Sequence, residues 1–142
     1  MEQEKGAFMT KYLLSLVAIY ILYIALLGVM MFRRRKKAII DGRIRVSYFK
    51  SYQEEFPYDL KVIQNHFENQ FQVPVLFFIT VLAIIQVKAE SFVTVSLGTL
   101  FVLSRLLHSY IHLGRNNVIQ RAFVFFSGVI ILLLTWIFIL VS

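Results

Sequence analysis

Two stretches of this chain, Tyr12 to Phe32 and Ala122 to Val141, contain no charged side chain. A helix needs about 20 apolar residues to cross the roughly 30 Å hydrocarbon core of a bilayer, and there a spanning segment must satisfy its own backbone hydrogen bonds. These runs predict two transmembrane helices. Two further stretches, 62–87 and 91–113, are nearly as apolar but carry polar residues. With 58% hydrophobic residues the chain also lies outside the range of soluble domains. The expected fold is an all-α membrane protein, a four-transmembrane-helix up-down bundle. Successive spans should be antiparallel, because the connections around 88–91 and 114–117 are short. No repeat or low-complexity tract interrupts the chain, so one membrane domain over 1–142 is expected. The absence of cysteine excludes disulfides, thiolate metal sites and a cysteine nucleophile.

A formal net charge of +7 raises the question of a nucleic-acid partner, and the placement of the charges answers it. Nine of the fifteen Lys and Arg lie between Arg33 and Lys61, and Arg115 and Arg121 fall between the third and fourth spans. The opposite side has Lys5 and Lys11 against Glu2 and Glu4, and Lys88 beside Glu90. By the positive-inside rule the basic loop 33–61 faces the cytoplasm and both termini face outward. Membrane lipids are the expected surroundings, and no nucleic acid is expected. The first apolar run is too long for a cleavable signal peptide and is followed by Arg33-Arg34-Arg35-Lys36-Lys37, so it remains in the mature protein. The pattern suits a bacterial inner membrane.

An ionisable residue inside a span costs about 2.5–3.5 kcal/mol on insertion scales and needs a reason. In the second span Asn65, Glu68 and Gln72 are spaced to share one helical stripe, and in the third Arg105, His108 and His112 do the same. Antiparallel packing puts both stripes at the basic end, so Glu68 and Arg105 are the expected ion pair. Pro74 predicts a kink between a polar half and an apolar half of the second span. Arg121 heads the fourth helix, where a positive dipole end and a guanidinium together suit an anion. His108 and His112 have the spacing of a zinc-binding helix motif. The glutamate of that motif is replaced by Ser109, however, and His66 is the sole third ligand in view, so no metal is expected. Ser104 and Ser109 lack the elbow motif of a serine nucleophile.

Taken together, Arg33 to Ala38 closing the first helix, Asn65-x-x-Glu68 followed by Pro74, Arg105-x-x-His108 and Arg121 opening the fourth helix resemble the MAPEG family, the membrane-associated proteins in eicosanoid and glutathione metabolism. The resemblance spans essentially the whole chain. It implies a homotrimer binding glutathione, as co-substrate, between subunits near the cytoplasmic face. In that scheme Arg121 stabilises the thiolate and Arg33 of a neighbouring subunit meets a carboxylate. Asn65, Glu68, Arg105 and His108 hold the peptide, with His112 packing on it. The implied activity is that of a glutathione transferase or peroxidase acting on a hydrophobic or lipid substrate from the bilayer. Ala122 stands where the prostaglandin E synthase pattern has serine, which argues against that isomerase, and Lys61 and Gln64 stand where relatives carry arginines. A non-catalytic lipid- or protein-binding scaffold of the same fold is the alternative. A channel is disfavoured because no polar stripe crosses the membrane.

Overall fold

The computed structural model describes residues 2–51 and 56–141, and the regular structure among them is entirely helical. Helix α1 (Glu2–Ile40) has 39 residues and is therefore about 58 Å long, well beyond the expected 12–32. Nothing in Arg33 to Lys37 breaks a helix, since Lys and Arg are good helix formers. The helix ends where Gly42 takes the left-handed conformation, at φ 68°. The Gly42 N–H then bonds the Ile39 carbonyl at 3.0 Å and the Arg43 N–H bonds that of Ala38 at 2.9 Å, a Schellman cap.

The segment after this cap is folded onto the bundle. A short helix α2 (Tyr48–Ser51) follows, and Ala38, Ile44 and Leu60 form a small buried cluster of their own. The Tyr48 and Phe56 rings stack at 4.5 Å, and Arg43 grips Asp59 through two bonds of 3.1 and 2.6 Å. Pro57 caps α3 (Tyr58–Glu68) in extended geometry. A 3-10 turn (Asn69–Phe71) separates α3 from α4 (Val73–Gln86). Pro74 thus does more than kink the second span. It sits in the first turn of a new helix, where its missing N–H is no loss.

Helix α5 (Phe92–Leu113) opens on a capping box, with Ser91 and Thr94 exchanging side-chain and backbone bonds of 2.9 and 3.2 Å. Helix α6 (Val118–Val141) starts before Arg121, because Asn117 caps it by accepting the Gln120 N–H at 3.1 Å. Side-chain bonds fix the register. Tyr12 meets Thr99 and Tyr23 meets Ser109, so α1 and α5 are parallel. Arg35 bonds Gln64 and Tyr20 bonds Gln70, so α1 and α3 are antiparallel. The result is an up-down bundle.

Its apolar core joins Leu13, Leu16 and Tyr20 of α1 to Phe77 and Val81 of α4, Phe101 of α5 and Leu132 of α6. The outer surface of the helices also carries large apolar side chains, with Leu22, Phe32, Ile119, Phe123 and Leu140 all exposed. A soluble monomer rarely exposes so much. Four segments are long and apolar enough to cross a bilayer, at 3–40, 58–86, 92–113 and 118–141. The chain is an integral, multi-pass membrane protein.

Candidate functional site

One end of the bundle holds a buried polar layer. Helix α5 brings Arg105, His108, Ser109 and His112 inward, and α3 with its 3-10 turn brings His66 and Gln70 against them. Tyr20 and Tyr23 complete the layer from α1. The Tyr20 hydroxyl donates to Gln70 Oε1 at 2.7 Å, and the Gln70 amide donates to the His66 carbonyl at 2.8 Å. The Tyr23 hydroxyl donates to Ser109 Oγ, which in turn donates to the Arg105 carbonyl at 2.8 Å. Tyr23 O also lies 3.1 Å from His66 Nε2. Removing this hydroxyl with Tyr23→Phe leaves buried polar groups on α3 and α5 without their partner. The expected loss is about 1–3 kcal/mol, read as a lower thermal midpoint of the detergent-solubilised protein.

The expected ion pair between Glu68 and Arg105 is not formed. Arg105 is 4% exposed, and its Nη2 donates to the carbonyls of Val124 and Phe125 at 2.8 and 3.0 Å. Its guanidinium also lies 5.4 Å from the centroids of both Phe101 and Phe125. Aromatic faces and helix carbonyls therefore take the place of a carboxylate. Gly128 makes this possible: a Cβ there would collide with Arg105 Nη2 and lie 2.8 Å from its Cζ. Glu68 is exposed and accepts from Gln64 Nε2 at 2.9 Å, while Gln64 Oε1 accepts from Arg35 Nη2 at 3.0 Å.

The expected facing of two stripes is corrected in the same way. Asn65, Glu68 and Gln72 all lie on the exposed side of the second span, whereas His66 faces the α5 histidines and Gln70 meets Tyr20 of α1. Arg35, Gln64 and Glu68 with Met31 and Phe67 instead line an open groove of about 500 Å³ on the outside of the bundle. Arg33 is exposed near the basic end of α1.

Arg121 is partly buried in the first turns of α6. Its Nη1 donates to Asn116 Oδ1 at 2.9 Å and to His112 Nε2 at 3.2 Å, and its carbonyl accepts from His108 Nδ1 at 3.2 Å. Asn116 adopts φ 50° in the tight α5–α6 turn and also donates to the Tyr58 hydroxyl at 3.0 Å. Of the sequence-derived residues, the fold thus gathers Arg105, His108, His112 and Arg121, and leaves Asn65, Glu68 and Arg33 on the outer surface. The fold adds Tyr20, Tyr23 and Gln70 to the gathered residues, along with His66, which the sequence offers only as a third partner for His108 and His112. The signal for the tyrosines lay in the sequence, since two hydroxyls three residues apart in an otherwise apolar span share a face and need partners.

The profile of the MAPEG family matches residues 12–141. No curated protein and no solved structure gives a significant match.

Proposed function

The chain belongs to the MAPEG family, and from that premise we propose that it is a membrane-bound, glutathione-dependent transferase or peroxidase. Its second substrate is a hydrophobic electrophile or lipid hydroperoxide that arrives through the bilayer. The active unit is a homotrimer in a bacterial inner membrane, with the basic loop in the cytoplasm and both termini outside. Glutathione lies between subunits at the basic end.

The observation that carries this reading is the setting of Arg121. One guanidinium nitrogen is occupied by Asn116 and His112, which fixes the head group at the mouth of the polar layer. Among the described residues its remaining donors make no hydrogen bond, which leaves them to an anion. A cation held in this way lowers the pKa of a neighbouring thiol and so raises the thiolate fraction available for attack on an electrophile. Holding both reactants in one crevice supplies a further part of the rate.

The exposed residues Arg33, Asn65 and Glu68 are suited to direct contact with a ligand between subunits. Arg33, from a neighbouring subunit, meets a carboxylate, Asn65 bonds the peptide, and Glu68 meets the ammonium group. Arg105, His108 and His112 lie beneath Arg121 and fix α6 and the guanidinium in place. They come within reach of the tripeptide where it enters the polar layer.

The competing reading is a lipid- or protein-binding scaffold of the same fold. Calorimetric titration of the purified full-length chain with glutathione separates the two. Saturable heat that is lost in Glu68→Gln supports the glutathione site. A flat titration at millimolar glutathione favours the scaffold.

A further inference from the structure

The structure leaves four buried side-chain polar atoms without a hydrogen-bond partner among the described residues, and three of them are ring nitrogens of one cluster: His66 Nδ1, His108 Nε2 and His112 Nδ1. Native proteins seldom leave such groups unmet, because each costs about 1–3 kcal/mol. The three rings are 0, 5 and 3% exposed, and their centroids lie 4.9 to 6.1 Å apart. Each ring offers one nitrogen such that all three lie within 4.8 Å of one another.

The opposite nitrogen of every ring is already held. His66 Nε2 lies 3.1 Å from the Tyr23 hydroxyl and 3.4 Å from Gln70 Nε2. The Tyr23 proton goes to Ser109 and the Gln70 amide donates at shorter range to the His66 carbonyl, which assigns the proton to His66 Nε2 and a lone pair to Nδ1. His108 Nδ1 donates to the Arg121 carbonyl, so His108 Nε2 carries a lone pair as well. Metal-binding imidazoles are held in this manner, with one nitrogen fixed by a hydrogen bond and the other aimed at the ion. His108 and His112 also have the i, i+4 spacing of paired ligands on one helix, and α3 supplies the third.

We propose that His66, His108 and His112 form a binding site for a divalent transition ion of the zinc and copper class. Three imidazoles with an open fourth position suit such an ion, and imidazole is a preferred ligand for both metals. In a tetrahedral site with bonds of about 2.0–2.1 Å the ligand nitrogens are roughly 3.3 Å apart, so the rings close inward by small rotations on binding. Arg105 and Arg121 bring positive charge to the cluster, and no carboxylate of the described residues joins the three rings. The ion therefore takes an anion as its fourth ligand.

Arg121 sets the condition for binding. Its Nη1 donates to His112 Nε2, which puts the His112 proton on Nδ1, the atom that must ligate. Binding moves that proton to Nε2, and a guanidinium has no acceptor for it. Arg121 must then release His112 while keeping Asn116. Arg121→Gln, whose amide oxygen accepts the Nε2 proton, is therefore expected to bind the ion about tenfold more tightly.

The test uses tag-free, full-length protein in detergent, loaded with zinc or copper alone and dialysed. The expected result is one ion per chain, with paramagnetic resonance of the copper form showing nitrogen couplings from three imidazoles in the unaltered protein. His66→Ala should cut retention at least tenfold. Fewer than three imidazole couplings, or retention that His66→Ala leaves unchanged, overturns the proposal. So does the absence of stoichiometric binding, in which case one water suits the cluster, with its hydrogens on the two lone pairs and its oxygen on the His112 N–H. The experiment contains no glutathione, so a negative result here leaves the transferase reading to its own titration.

Discussion

Replacing Arg121 by alanine is expected to lower kcat/KM for glutathione conjugation or hydroperoxide reduction by about 10²–10³-fold, the usual effect of removing one well-placed donor from a developing or resting anion. The loss should fall mainly on thiolate formation. Glutathione would still be held by Asn65, Glu68 and the arginines of the basic end, so its affinity should change far less than turnover. The pH profile gives a further mark. With Arg121 gone, the thiol of bound glutathione returns toward its ordinary value, and residual activity should climb with pH through the range where free thiol ionises. A variant that keeps full turnover would mean that the guanidinium serves only to fasten the α5–α6 turn through Asn116 and His112.

The second large effect concerns the buried cation. Gly128→Ala puts a methyl group in collision with Arg105 Nη2, and the guanidinium is driven off the Val124 and Phe125 carbonyls. A buried charge without partners is worth about 3–5 kcal/mol of destabilisation. The expected outcome is a large drop in the thermal midpoint of the solubilised protein. The double variant Gly128→Ala with Arg105→Met should recover most of it, because an apolar chain of similar length fills the same space without a charge to satisfy. If the double variant is as unstable as the single one, the damage lies in α6 packing and the Arg105 contact is incidental.

Arg121 and Arg105 stand out in the sequence whereas Gly128 does not, and the partner the sequence assigned to Arg105 was wrong for a definable reason. Two polar stripes are available on the second span at helical spacing. One runs through Asn65, Glu68 and Gln72, and the other through His66 and Gln70. Residue type favoured the first, because a carboxylate is the obvious mate for an arginine. Packing selected the second, because Tyr20 and Tyr23 of α1 supply hydroxyls at the depth of Gln70 and His66. The 3-10 turn ahead of Pro74 also breaks the register of the first stripe, so Gln72 no longer continues the α3 helix.

Elsewhere the local rules sufficed. The charge-free runs marked α1 and α6, Pro74 marked the break in the second span, and the α5 spacing put Arg105, His108 and His112 on one buried face. The extension of α1 beyond its apolar run followed from helix propensity, which a hydropathy pattern does not register. The carbonyl cradle for Arg105 depends on a glycine on a neighbouring helix, and no spacing rule within one segment predicts such a contact.

The most direct measurement of the central claim is thiolate absorbance when glutathione is added to the purified, unaltered protein near neutral pH. Saturating appearance of thiolate, reversed by a non-thiol glutathione analogue and missing from the Arg121→Ala variant, is the predicted result. Glutathione that binds but stays fully protonated, or a thiolate signal of equal size without Arg121, would contradict the account.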